Sequence, residues 1–377
     1  MRGRIATRTR RFLVEFAVLS ILAGCSSGAT PVPTATATPV TAASPSAAHS
    51  PSATSTAYGP VAEVTGTATC PTTPQQTPTT GPGGVQQFRG GIFTCTVTTD
   101  DPRVSGTETQ APWNLDVWGT PDNAVGVQWG ATRLENSVGA WVGTGSGAAS
   151  TVPGDIIANW YKGTGAYAGL GYFALWTGTG PWTIRGLVFP GDPPNLAALP
   201  TLAPATPGPA ESASPIASLP PLPSPIGYGP ASVVTGTYAY TWADPGSMSG
   251  GPRGGTIYRD GVFGGVERVN DPRGSDTYTS TPWTIELWGG GFDTGAGIQW
   301  GPGLSVNAGG SWRCNDAGVY SADLADTIVG WCKGTDAYAG LAYFELLTSG
   351  DPFGMTVPAG ADGSIHSLVF PGNPPTP

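Results

Sequence analysis

Two acidic residues in this 377-residue chain sit in the middle of alternating apolar stretches, where a carboxylate can do chemistry. One is Asp116, in Trp113-Asn114-Leu115-Asp116-Val117-Trp118, and the other is Glu286, in Trp283-Thr284-Ile285-Glu286-Leu287-Trp288. A carboxylate next to an indole can hold a ligand between a charge and a flat apolar face, or act as a general acid or base. The face that carries Asp116 also carries Trp118, and the face that carries Glu286 also carries Trp288. Gln128 and Gln299, each followed by Trp-Gly, and Tyr167 and Tyr338, each within Ala-Tyr-Ala-Gly-Leu, are further matched polar positions. Turned inward, these eight residues would line a cavity; turned outward, the acids would be solvated beside exposed tryptophans. The opposite strand face is the more apolar one, which favours the outward orientation.

Other reactive groups are scarce. The two histidines, His49 and His366, have no matched partner: His366 stands opposite Arg185, and His49 lies in a Thr/Pro-rich stretch. The remaining matched ionisable pairs are Arg89/Arg259, Asp101/Asp271, Arg103/Arg273, Asp155/Asp326 and Lys162/Lys333. This set supports neither a Ser-His-Asp or Cys-His mechanism nor a histidine zinc site. No phosphate loop or dinucleotide fingerprint occurs, so no metal and no cofactor is expected. Asp101-Pro102 reads as a turn, with the Asp side chain starting it and Pro presetting the next φ. Lys162 reads as a solvated hairpin residue, and Asp155 and Asp326 as exposed strand starts.

These pairs exist because the chain repeats itself. Tyr58-Gly59-Pro60 returns as Tyr228-Gly229-Pro230, Asp101-Pro102-Arg103 as Asp271-Pro272-Arg273, and Leu187-Val188-Phe189-Pro190-Gly191 as Leu368-Val369-Phe370-Pro371-Gly372. Two modules result, 58–194 and 228–377. They are separated by 195–227 and preceded by 25–57, two stretches of Pro, Ala, Ser and Thr that read as disordered linkers. Within the modules, alternation and turn signals give about eight strands each and an all-β antiparallel barrel or sandwich. The 58 glycines then belong to turns, bulges and coiled strands. Five matched tryptophan pairs mostly alternate with Val, Leu and Ile, which favours core over exposed sugar-stacking rings. Cys70 and Cys95 fall on neighbouring strands of the first module, and Cys314 and Cys332 on neighbouring strands of the second, so one disulfide per module is expected at different places.

The first 24 residues carry Arg2, Arg4, Arg8, Arg10 and Arg11, followed by an apolar run from Phe12 to Ala23. This is the plan of a secretory signal, and the run is too short to span a bilayer. Leu22-Ala23-Gly24-Cys25 resembles the lipobox of bacterial lipoproteins. The resemblance implies that Cys25 becomes the lipidated N-terminus and anchors the chain to the outer face of the cell membrane, or to an outer membrane. Removing those five Arg and Glu15 from 16 basic and 25 acidic residues leaves 11 against 24, a net of −13. Such a surface argues against nucleic acid and anionic headgroups as partners, so the membrane contact would be the lipid itself.

Gly163-Thr164-Gly165-Ala166-Tyr167-Ala168-Gly169-Leu170-Gly171 resembles the glycine-rich strand of the allene oxide cyclase and dirigent barrel superfamily; the second copy, from Gly334 to Ala342, departs at two glycines. The resemblance implies two small eight-stranded antiparallel barrels, each with a cavity. No catalytic residue of that superfamily maps onto this chain. The expected function is an envelope lipoprotein displaying two modules that bind a small apolar or saccharide ligand without catalysis. The alternatives are a cofactor-free isomerase or cyclase using Asp116/Glu286 with Tyr167/Tyr338, and a purely structural surface protein.

Overall fold

The structure is a computed structural model that describes residues 57–58, 60–71, 76–120, 123–150, 154–195, 226–228, 230–251, 254–292, 294–321, 325–349 and 361–375. The segment read as a secretory signal, Cys25 and nearly all of the two stretches read as linkers lie outside these residues. The first module contains β1 (Ala57–Tyr58), β2 (Val61–Thr69), β3 (Thr79–Thr80), β4 (Gln86–Thr99), β5 (Gly106–Thr120), β6 (Asn123–Glu135), β7 (Gly139–Ser150), β8 (Asp155–Gly165), β9 (Leu170–Gly178) and β10 (Trp182–Pro190). The second contains β11 (Ile226–Tyr228), β12 (Ala231–Asp244), β13 (Ser247–Gly250), β14 (Thr256–Val269), β15 (Asp276–Trp288), β16 (Ala296–Val306), β17 (Gly310–Ser321), β18 (Ala325–Asp336), β19 (Leu341–Thr348) and β20 (Gly363–Pro371).

In each module eight long strands close into an antiparallel barrel. The order β2-β10-β9-β8-β7-β6-β5-β4 is sealed by pairing of β2 with β4, and β12-β20-β19-β18-β17-β16-β15-β14 by pairing of β12 with β14. The seal is short in the first barrel, Gly66–Thr69 against Thr96–Thr99, and longer in the second, Gly236–Asp244 against Val262–Val269. The ladder slips at Phe88/Gly91 and Gln110/Trp113 in the first barrel and at Tyr258/Gly261 and Ser280/Thr284 in the second. Bulges repeated at one corner supply the coiling that closure requires. Disulfides join Cys70 to Cys95 and Cys314 to Cys332.

Period-two alternation sorts the side chains into three clusters. Trp113, Trp141, Tyr161, Tyr172 and Trp176 fill the first barrel, and Tyr278, Trp283, Trp312 and Tyr343 fill the second. The third cluster lies between the barrels, on their outer walls, and draws matched residues from both modules: Trp118 with Trp288, Phe173 with Phe344 and Phe189 with Phe370. Trp118 packs on Phe370 at 5.6 Å, and Phe189 packs on Trp288 at 6.3 Å. The second contact is the first with the modules exchanged, which is the reciprocity of an isologous, twofold interface. Trp331 adds a hydrogen bond from Nε1 to Ser146 Oγ of the first module at 2.9 Å.

One end of each barrel is shut by the same plug. Trp141 stacks on Tyr167 at 5.0 Å and donates from Nε1 to the Arg103 carbonyl at 2.8 Å. Tyr167 donates to Asn136 Oδ1 at 2.8 Å, and Asn136 Nδ2 reaches the carbonyls of Pro102, Arg103 and Ser105. The Asp101 side chain accepts from the Arg103 backbone N at 2.9 Å and pairs with its guanidinium at 2.5 Å. Trp312, Tyr338, Asn307, Asp271 and Arg273 repeat the arrangement in the second module.

Candidate ligand site at the mouth of the second barrel

The opposite ends of the two barrels differ, because neighbouring strands have exchanged large and small residues. In the first barrel Ala68 faces Trp182 across the β2–β10 ladder; in the second, at the same register, Tyr238 faces Gly363. Trp182 packs on Trp176 at 6.4 Å and occupies the first mouth. The second has Gly363 and Leu347 at those positions, and the Tyr238 ring lies directly over Gly363, where a Cβ would come within 2.6 Å of it. One step along the strand, the first module carries its Cys70–Cys95 bridge, whereas the second lays Tyr240 over Gly265.

A cavity of about 180 Å³ opens at this second mouth. Tyr238, Tyr240 and Trp242, at alternate positions of β12, form one wall, and Phe263 of β14 continues it. The polar lining is Thr241, Gln299, Asp326, Ser349 and Asp362. Gln299 is held on both sides: its Oε1 accepts from Trp283 Nε1 at 3.2 Å and its Nε2 donates to Asp326 Oδ1. Ser349 Oγ accepts from the Asp326 backbone N at 2.7 Å, and Asp362 Oδ2 accepts from the Tyr240 backbone N at 2.7 Å. Burial pushes the Asp326 carboxyl up to about 6, the Gln299 hydrogen bond opposes this, and the charge of Asp362 adds to it.

Beneath the cavity floor lies a belt of buried acids. The Tyr240 hydroxyl donates to Glu267, and Tyr278 donates to Asp316 at 2.5 Å. Glu345 and Asp276 complete the belt. Burial, the largest cause, raises all four carboxyls: Glu267 to about 7, Asp316 to about 8, and Asp276 and Glu345 well above the ordinary carboxylate range. Gly330 makes room for it: both Asp316 and Glu345 reach over this glycine to the place a Cβ would occupy. The first barrel has Gly145, Asn159 and Ala174 at the corresponding positions, and its most deeply buried acid, Glu108, stands at the position of Tyr278. Glu108 accepts from Thr132 at 2.7 Å, Tyr161 at 2.8 Å and Gln110 at 3.1 Å. The Cys314–Cys332 bridge borders the belt, with Cys332 Sγ 3.8 Å from Glu345 Oε1. Its sulfurs lie near the carboxylates of Asp316 and Glu345, but both are committed to the disulfide.

The eight residues that the sequence reading grouped as one ligand-binding set are placed apart. Asp116 points off the outer wall and pairs with Arg89 at 2.6 Å. Glu286, also on the outer wall, is buried, and its carboxyl is raised to about 7 by desolvation, against the charge of Arg259. Trp118 and Trp288 are covered by the opposite module, because an apolar outer wall finds its partner there. Tyr167 and Tyr338 belong to the plugs. Gln128 faces inward and accepts from Trp113 Nε1 at 3.2 Å, and only Gln299 of the eight lines the cavity. Asp116 and Tyr167 therefore do not converge in one pocket, and neither do Glu286 and Tyr338. Asp155 corrects its expected exposure: it faces inward at the first mouth, where burial raises its carboxyl to about 7. Lys162 is exposed and pairs with Asp192 at 2.7 Å, as a solvated hairpin residue should.

The lining that sequence reasoning missed includes the aromatic wall of Tyr238, Tyr240, Trp242 and Phe263 and the polar Ser349 and Asp362. The signal was Tyr238-Ala239-Tyr240-Thr241-Trp242, three aromatics at period two where the first copy reads Ala68-Thr69-Cys70-Pro71-Thr72. No family model, curated protein or solved structure matches the chain.

Proposed function

We propose that this chain is a non-catalytic envelope lipoprotein, anchored through lipidated Cys25, whose second barrel binds one small saccharide ring at its open mouth. The observation that carries this reading is the cavity itself, with three aromatic rings along one wall and a held carboxyl–amide pair opposite. Flat apolar walls with a few convergent polar groups suit a ligand that has both ring faces and hydroxyls. A cavity of about 180 Å³ is below the size of pockets for drug-sized molecules, which favours a single ring. The first barrel then serves as a packed companion. Kinship with the allene oxide cyclase and dirigent barrels is part of the proposal, supported by the glycine-rich hairpin and by eight-stranded closure.

Calorimetric titration of the full chain in detergent with a panel of neutral monosaccharides tests it. Binding that is lost in Gln299→Ala and Asp362→Asn is the expected result; no binding by any member of the panel sinks it. Intact-mass measurement of the exported protein, with Cys25→Ala as control, tests the anchor.

One observation favours a second, enzymatic reading. Asp326 and Asp362 line the same cavity in different surroundings, one part-buried and raised to about 6 by desolvation, the other on the exposed rim. Two carboxyls with split environments are the pattern of an acid and a base or nucleophile in glycoside hydrolysis. Release of shorter products from neutral oligosaccharides, abolished by Asp326→Asn, would establish it, and intact oligosaccharides after prolonged incubation would exclude it.

A further inference from the structure

The cavity does not end the aromatic surface of the second module. Trp242, which lines the mouth, is also 44% exposed, and its ring lies over Gly261, whose missing side chain leaves 2.8 Å between a Cβ position and the indole. Beyond it, Phe292 is 37% exposed and lies 6.4 Å from Trp242, 5.4 Å from Tyr258 and 5.9 Å from Tyr320, centroid to centroid. Met248 on β13 adds a 69% exposed thioether. Phe292 is held in place from below, since Tyr320 donates its hydroxyl to the Phe292 carbonyl.

This row belongs to the second module alone. Trp242, Tyr258 and Tyr320 correspond to Thr72, Phe88 and Ala149 in the first. Phe292 comes from a longer connection: seven residues, 289–295, separate β15 from β16, where two separate β5 from β6. The module with the open mouth is thus also the one with the outer aromatic row.

We propose that this row continues the cavity as a series of stacking subsites, so that the second barrel binds an uncharged glycan chain of at least three rings with one end seated in the mouth. This inference rests on the single-ring reading above and extends it. Partly exposed rings, inclined to one another by 41° to 74°, offer a stepped series of apolar faces at low entropic cost, which suits successive sugar rings. Charge selects among polymers. The chain carries a net of −9, and its cavity presents Asp326 and Asp362, so an anionic polysaccharide or nucleic acid would be repelled.

The test is calorimetric titration of the full chain with neutral gluco-oligosaccharides of one to six rings. Affinity should tighten about tenfold between one ring and three and then level off. Phe292→Ala and Met248→Ala should abolish that gain while leaving one-ring affinity unchanged. Monosaccharide binding without any length dependence overturns the row and leaves the cavity reading intact. Length dependence that persists in Gln299→Ala and Asp362→Asn overturns the cavity reading and leaves the row. No binding at any length overturns both. If Phe292→Ala changes only self-association of the chain, the row is a protein contact and the inference fails.

Discussion

Glu267 offers the clearest quantitative test of how the second barrel is built. Its carboxyl rises from 4.5 to about 7, because burial outweighs the hydrogen bond from Tyr240. In the unfolded chain it returns to its ordinary value. Between those two pH values the folded state binds more protons than the unfolded state, so stability falls as pH rises through the window. The contribution is fully present below about pH 4.5 and lost above about pH 7. A difference of about 2.5 pH units, at about 1.4 kcal/mol each, makes the loss roughly 3 kcal/mol. Glu267→Gln keeps an oxygen for the Tyr240 hydroxyl but cannot ionise. Its new amide adds a cost that is the same at every pH, so the slope is the readout. Urea unfolding followed by tryptophan fluorescence, at half-unit steps from pH 4 to 8.5, should show the wild type declining more steeply than the variant, by about 3 kcal/mol across the window. Both should keep a residual decline from Asp316, raised to about 8. Parallel curves for the two proteins, or a wild type whose stability climbs with pH, would refute the reasoning.

Further outcomes follow from the geometry. Asn136→Ala, which strips three carbonyls and the Tyr167 hydroxyl of their partner, should destabilise the first barrel by about 2–3 kcal/mol in equilibrium unfolding. Asn307→Ala should do the same in the second. Replacing both Trp118 and Phe189 with Ala should uncouple the modules, visible as two separate calorimetric transitions in place of one. Cys314→Ala with Cys332→Ala opens a bridge between residues 18 apart in sequence and should cost about 3 kcal/mol, read from the denaturant midpoint. Asp155→Asn removes a buried carboxyl raised to about 7, so the first barrel should lose less stability between pH 4 and 7 than the wild type.

The fold was legible because its signals are local. Alternation at Trp113–Trp118, the turn at Asp101-Pro102 and the repeated motifs each report on a few neighbouring residues, and together they give two eight-stranded modules. The disulfide pairs followed from strand adjacency. The site was harder for a physical reason. Comparison of the two copies picks out residues that both modules keep, and what both barrels must keep is what closes them. Asp101, Arg103, Trp141 and Tyr167 build the plug, and Trp118 and Phe189 build the wall between modules. The groups that shape the second cavity and its acid belt occupy positions where the copies differ: Tyr238 for Ala68, Tyr240 for Cys70, Asp316 for Gly145, Glu345 for Ala174. Of these only the aromatic stripe at Tyr238–Trp242 has a visible period. The acid belt is assembled across four strands, so spacing along the chain carries no trace of it.

The twofold contact between the barrels has a consequence for how the two halves came to differ. A self-complementary face ordinarily requires two identical copies to find each other from solution. Joined by one chain, each face meets its mate at an effective concentration on the order of millimolar, whatever the bulk concentration of the protein. The pairing then survives even if one half changes inside, since the outer wall alone sustains it. Fusion thus separates two duties that a symmetric dimer must impose on both subunits at once. One half can stay a filled, disulfide-stapled support while the other gives up packing at its mouth, and the loss of that packing is shared by the joined pair.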